Sequence, residues 1–109
     1  MSITVNLYYT GKDGSARRFA EEMESSGTAR RIREEEGNLR YDYFFPMNDP
    51  ETVLLIDSWT DQEAIDRHHQ TEMMQTIAAL RVKYDLHMKI ERYRSDDEVP
   101  QKDLNFIRK

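Results

Sequence analysis

Asp57, Trp59 and His68 are the residues of this 109-residue chain whose types and spacing could do chemistry. An imidazole with a pKa near ~6.5 can take up a proton at neutral pH and so serve as a general base. A carboxylate one strand away, Asp57, could orient that ring and stabilise its protonated form. Trp59, the only tryptophan, offers a flat wall to an aromatic ligand. The bland alternatives are a buried histidine hydrogen-bonded to structure and a tryptophan that serves as core. Asn38, Arg40 and Tyr43 could supply polar groups at a pocket mouth, or form the hydrated edge of a strand. His69 beside His68 makes no metal site, because neighbours on a helix diverge by ~100° and no second histidine follows at i+4.

These residues need elements to hold them. Gly37–Phe45 and Val53–Trp59 are aromatic and β-branched runs without internal Gly or Pro, and Pro46-Met-Asn-Asp-Pro50 between them is a turn, so the three form a hairpin. Thr60-Asp61 offers a helix N-cap supported by Glu63, and Ala64, Ile65, His68 and His69 fall on one helical face. After a break at Gln70, Met73, Met74, Ile77, Ala78, Leu80, Arg81 and Tyr84 carry a second stripe, with the methionines as core filler.

Upstream, Ser2–Thr10 alternates with period two and reads as a strand. Gly11-Lys-Asp-Gly14 is a turn, and Ser15 could cap the helical segment after it. Two helices are expected, roughly Ala16–Glu24 and Thr28–Glu36, with Gly37 closing the second. Glu34, Glu35 and Glu36 place acid at a helix C-terminus, against the dipole. His87–Arg94 is a fourth strand, Ser95–Pro100 a polar linker, and Leu104-Asn-Phe-Ile107 is too apolar for a free tail. It could add a short strand or hook onto a partner subunit.

The order β-α-β-β-α-β predicts an α+β, ferredoxin-like fold, a four-stranded antiparallel sheet with two helices on one face. The third strand is apolar on both faces over its first half, so the second face needs a cover. A second copy of the same sheet is the simplest one, and a homodimer is expected.

Composition narrows the function. Only 38% of residues are hydrophobic and 34% are charged, so the chain has little apolar area to spare. A net charge of -5 without a basic stripe argues against nucleic acid as a partner. Cysteine is absent, which removes disulfides and thiolate chemistry. The opening Met-Ser-Ile-Thr-Val has no charged and apolar leader pattern, and no run approaches ~18 apolar residues, so a cytoplasmic protein with no membrane partner is expected. Neither G-x-G-x-x-G, nor a P-loop, nor G-x-S-x-G occurs, and a cofactor-free reaction fits that pattern.

Glu36-Gly37-Asn38-Leu39-Arg40-Tyr41-Asp42, Asp49-Pro50, Leu55-Ile56-Asp57-Ser58-Trp59 and Ala64-Ile65-Asp66-Arg67-His68 together resemble the antibiotic biosynthesis monooxygenase (ABM) family. The usual run there is an acidic residue, a gap of one, Trp, and a His nine positions later, and Asp57, Trp59 and His68 match it in place. The resemblance covers roughly residues 3–93. It implies a dimeric α+β barrel of ferredoxin-like subunits, with residues 1–95 as the domain and 96–109 as an extension that could pair with the partner subunit. It further implies a small cofactor-independent monooxygenase that takes oxygen and a quinol-like or polyphenolic substrate. His68 would be the base, Asp57 its partner, Trp59 and Tyr43 pocket walls, and Asn38 and Arg40 substrate-binding groups. The family also holds an isomerase of a phosphorylated sugar in autoinducer-2 processing, for which Arg40 would hold the phosphate. A third reading is a ligand-binding dimer without catalysis. Two positions depart from the family pattern: Met73 stands where many members carry a second His, and His69 where an aliphatic residue is usual.

Overall fold

The computed structural model describes residues 1–109. Four strands, β1 (Ile3–Thr10), β2 (Asn38–Phe44), β3 (Thr52–Trp59) and β4 (His87–Arg94), form one sheet in the order β2-β3-β1-β4 with every neighbouring pair antiparallel. Helices α1 (Ser15–Ser25) and α2 (Thr28–Arg33) join β1 to β2, α3 (Gln62–His69) and α4 (Met73–Lys83) join β3 to β4, and a single turn, α5 (Gln101–Leu104), follows. This is the ferredoxin-like α+β arrangement that the element order predicts.

Register sorts the side chains. Ile3, Val5, Leu7 and Tyr9 of β1 stand beside Trp59, Asp57, Leu55 and Val53 of β3. This set faces the helices, where Phe19, Met23, Ile32 and Ile77 complete a core in which each of those four is at most 2% exposed. The opposite face presents Thr4, Asn6 and Tyr8 beside Ser58, Ile56 and Leu54. Thr4 and Ser58 share a hydroxyl hydrogen bond of 2.7 Å there, and no helix covers this face. Leu54 and Ile56 remain half-buried on it, so β3 is apolar on both sides as its sequence indicates.

Local chemistry decides where the elements end. Asp61 caps α3, its Oδ1 accepting from the Ala64 N–H at 2.9 Å. Ser15 lies inside α1 instead of capping it, and its Oγ accepts from the Lys12 N–H at 3.0 Å to close the preceding turn. The second helix stops at Arg33, three residues short of the expected Glu36. Three acids would oppose the dipole at its C-terminus, and Gly37 at φ 88° turns the chain away. Beyond the linker, α5 ends at Leu104, and Leu104–Ile107 form no strand within the subunit.

Candidate active site

A cavity of about 280 Å³ lies between the helix-facing side of the sheet and helices α3 and α4, with Met88, Ile90 and Arg92 of β4 along one side. Its wall is mostly apolar, from Val5, Leu7, Leu55, Ile65 and Ile77, and its polar groups are Asp57, His68, Tyr9, Tyr41 and Arg81, with His69 and Arg92 beside them. That combination of an apolar shell and a few convergent polar groups is the pattern of a small-molecule site. A larger, shallower groove of about 780 Å³ runs beside β2 and contains neither His68 nor Asp57.

The helical spacing of Ala64, Ile65 and His68 turns those three side chains inward, and His68 is 4% exposed. The neighbouring His69 stays exposed. The His68 Nδ1 lies 3.0 and 3.2 Å from the two carboxylate oxygens of Glu35. With Nδ1–H donating to Glu35, Nε2 carries the free lone pair. Its ring stacks on Trp59 with centroids 4.8 Å apart. Thr71 ties down the end of α3, donating from its hydroxyl to the His68 carbonyl at 2.8 Å. Burial pushes the His68 pKa below its ordinary value, and the Glu35 carboxylate pulls partly the other way. The imidazole is therefore neutral at pH 7 and able to accept a proton.

Asp57 and Trp59 are two apart on β3, so both side chains reach the same face. The Trp59 indole donates from Nε1 to Asp57 Oδ1 at 2.6 Å. Burial lifts the Asp57 pKa from its ordinary 3.8 to about 7, against the pull of that hydrogen bond, with a smaller push from the Glu35 charge. Arg81 of α4 donates from Nη2 to the Tyr9 hydroxyl at 2.8 Å, while its Nε is buried without a partner. Burial holds the Tyr9 and Tyr41 phenols above the usual range, so both stay neutral donors.

The structure thus brings His68, Asp57 and Trp59 to one pocket but pairs them differently from the sequence expectation. Asp57 holds Trp59, and the carboxylate on His68 is Glu35. Asn38, Arg40 and Tyr43 are not in this pocket. Asn38 donates from Nδ2 to the carbonyls of Arg40 and Ser58 at 3.3 and 3.4 Å, stapling a register shift at Leu39. Arg40, opposite Ser58, therefore points to the uncovered face, where it lies 3.2 Å from Asp42. Tyr43 packs edge-on against Phe19 and Tyr41, at 6.1 and 5.9 Å, and lines the groove beside β2.

Sequence reasoning missed Arg81, Tyr9 and Tyr41 as pocket groups and Glu35 as the partner of His68. One signal for Glu35 was available: a run of acids placed against a helix dipole is locally unfavourable and calls for another reason to be there. No three His, Asp or Glu side chains converge as metal ligands, and no helix is long and apolar enough to cross a membrane.

Comparison with known proteins bears on the family and the fold. The family model described as antibiotic biosynthesis monooxygenase matches residues 2–80. YcnE of Bacillus subtilis, whose assignment as a monooxygenase is itself provisional, is 29% identical over 77 residues, 71% of this chain and 79% of that protein. A Deinococcus radiodurans structure assigned provisionally to the same family superposes with a TM-score of 0.76 at 17% identity, covering 92% of this chain and 97% of the other. SnoaB of Streptomyces nogalater, a cofactor-independent oxygenase, superposes with a TM-score of 0.73 at 15% identity, covering 92% and 98%. At those identities the two structures establish the fold.

Proposed function

Because the chain belongs to the antibiotic biosynthesis monooxygenase family, we propose that it is a small monooxygenase acting on a quinol-like or polyphenolic aromatic molecule without a bound cofactor. The observation that supports this reading is the His68–Glu35 pair: Glu35 engages Nδ1, and His68 lines an apolar pocket. In the reaction, Nε2 removes a phenolic proton from the substrate. The resulting anion is electron-rich enough to give an electron to dioxygen directly, and the two radicals combine and take up a proton as a ring-bound hydroperoxide. Its O–O bond then breaks with loss of the ring hydrogen and of water, leaving one oxygen atom on the ring as a quinone carbonyl. Glu35 stabilises the imidazolium that forms, as a second carboxylate does in other histidine bases. Arg81, with Nε unpartnered, and the Tyr9 hydroxyl supply charge and hydrogen bonds to the substrate oxygen. Asp57, near half-protonation at neutral pH, is a second group that can hold or return a proton. SnoaB, described as cofactor-independent, supports this class of chemistry.

The cavity, at about 280 Å³, sits near the ~300 Å³ lower end of ordinary ligand sites. A substrate of one or two rings fits that size. Isomerisation of a phosphorylated sugar loses its expected anchor, since Arg40 lies across the sheet from His68 within the subunit. The working assembly in this reading is a homodimer in which the uncovered sheet face, with Leu54 and Ile56 at its centre, packs on a second copy.

Oxygen uptake by the metal-free protein with a panel of simple quinols tests the proposal, beside His68→Ala shown to be folded by circular dichroism. Turnover in the wild type that disappears in the variant is expected. Uptake that persists in His68→Ala, or no uptake with any quinol, would refute it.

A further inference from the structure

Among the arginines of the chain, only Arg33 and Arg81 are not exposed. Arg33 has its counter-charges: Nη1 donates to Glu24 at 2.9 Å, and Asp42 lies 3.8 Å from Nε. Arg81 forms an ion pair with no acid of the chain. Its Nη2 donates to the Tyr9 hydroxyl at 2.8 Å, and its Nε is buried without a partner. The Tyr9 ring, 5.4 Å from the guanidinium, offers a π face but no charge. Asp57, the acid that lines the same cavity, accepts from the Trp59 indole instead. A cation withdrawn from water in this way needs an anion to offset its lost hydration. Tyr9 adds a second open donor, because its oxygen accepts from Arg81 while its own O–H has no acceptor within the chain.

Both donors line the cavity of about 280 Å³ that also holds His68. The chain has a net charge of -5, yet this cavity is lined by two arginines, Arg81 and Arg92, against one acid. Burial lifts the pKa of that acid, Asp57, to about 7, so at neutral pH it cancels only part of the positive charge. Arg92 and His69 are exposed at the rim, where positive charge favours the entry of an anion. Sheet register sets the guanidinium apart from the base. Trp59, on which His68 stacks, pairs with Ile3, and Tyr9 stands six residues farther along β1, about 20 Å of strand. Arg81 lies eight residues beyond Met73 on α4, about 12 Å of helix. His68 therefore occupies one end of the cavity and Arg81 the other. A carboxylate suits the Arg81 end: its two oxygens can accept from the Nε–H and the Tyr9 O–H together, and its single charge matches one guanidinium. A phosphate would bring a further oxygen and a further charge with no donor to meet them.

We propose that the substrate of this pocket is a phenol or quinol that also carries a carboxylate, gripped by Arg81 and Tyr9 while its hydroxyl faces His68. The substrate oxygen that Arg81 and Tyr9 meet is then a carboxylate oxygen, at the far end of the molecule from the hydroxyl that loses its proton. Anchoring that end fixes which part of the ring is presented to His68. It also discriminates against neutral quinols of the same shape, which leave the guanidinium and the phenol without acceptors. The inference rests on the monooxygenase reading above for the hydroxyl end alone.

Calorimetric titration of the full-length protein under nitrogen, where nothing turns over, tests the carboxylate directly. The probes are 2,5-dihydroxyphenylacetate and its neutral amide, which has nearly the same shape, at pH 7. In the wild type the acid is expected to bind about 10–100-fold more tightly than the amide, the range of a charge-assisted hydrogen-bonded pair. In Arg81→Gln, shown to be folded by circular dichroism, the acid should bind within about twofold of the amide. Tyr9→Phe keeps the ring in the core and should weaken the acid by about fivefold with little change for the amide. Equal affinity for acid and amide in the wild type, a preference that survives Arg81→Gln, or no binding of either probe overturns the proposal. Oxygen uptake with the same two probes separates it from the reaction. Selective binding of the acid without oxygen uptake leaves the carboxylate site and refutes the monooxygenase. Uptake with equal kcat/KM for acid and amide leaves the monooxygenase and refutes the carboxylate site.

Discussion

Replacing Asp57 by Asn should make the protein more stable, and increasingly so as pH rises. The carboxyl has its pKa lifted from 3.8 to about 7 by burial, so the folded state holds a proton that the unfolded chain has already released. Between those two values the folded state binds more protons, and stability falls as pH rises through the window. A displacement of about three units is worth about 4 kcal/mol once both states are ionised, with about 1.5 kcal/mol already lost at pH 5. Asn keeps an oxygen to accept the Trp59 indole N–H and has no charge to bury. His68 slopes the other way: burial lowers its pKa, so its contribution is lost as pH falls below the ordinary value. Comparing variant with wild type at each pH leaves the Asp57 effect alone. Urea unfolding at pH 4, 5, 6, 7 and 8 should show the two curves meeting at low pH and separating by several kcal/mol at pH 8. Parallel curves, or a variant less stable at pH 8, would refute the claim that Asp57 is buried with a raised pKa.

Two further changes probe the Glu35–His68 pair. Glu35→Gln removes the charge that holds the His68 pKa up against burial, so the acid limb of the kcat/KM profile should move to lower pH. Turnover should drop by about 10²–10⁴ as the imidazolium loses its counter-charge, and an unchanged profile would deny Glu35 its role. Gly37→Ala puts a Cβ 2.5 Å from that of Ala64 and 2.9 Å from Thr60 Oγ1, at a φ of 88° that side chains rarely adopt. Calorimetry should show a loss of about 2–4 kcal/mol from strain and overpacking together, and a loss below 0.5 kcal/mol would show that the turn can relax.

Much of this arrangement comes from local rules. Strand parity put Asp57 and Trp59 on one face, and no other fold-level information was needed for the indole to meet the carboxylate. Asp61 caps α3 because its side chain and the spacing to Ala64 suit the motif, and the helical period then buries His68 beside Ala64 and Ile65 and leaves His69, one step round, exposed at the rim of the pocket. The apolar character of Leu54 and Ile56 marked the second sheet face as one that needs a cover.

Other features depended on elements distant in sequence. Glu35 and His68 are 33 residues apart, and their contact exists because the α2–β2 connection and α3 converge over the end of β3. No periodicity reports such a crossing. Arg40 illustrates the opposite case: a register shift at Leu39 and the pairing with Ser58 set it on the uncovered face, so alternation counted from Tyr41 or Asp57 matters more than its place in a recognisable run. The Asp57 pKa belongs to the same class, since the shift comes from burial under helices that the strand itself does not encode. Local spacing chose the residue types and the faces they occupy; through-space packing chose their partners and protonation, because desolvation and hydrogen bonding are properties of the assembled interior.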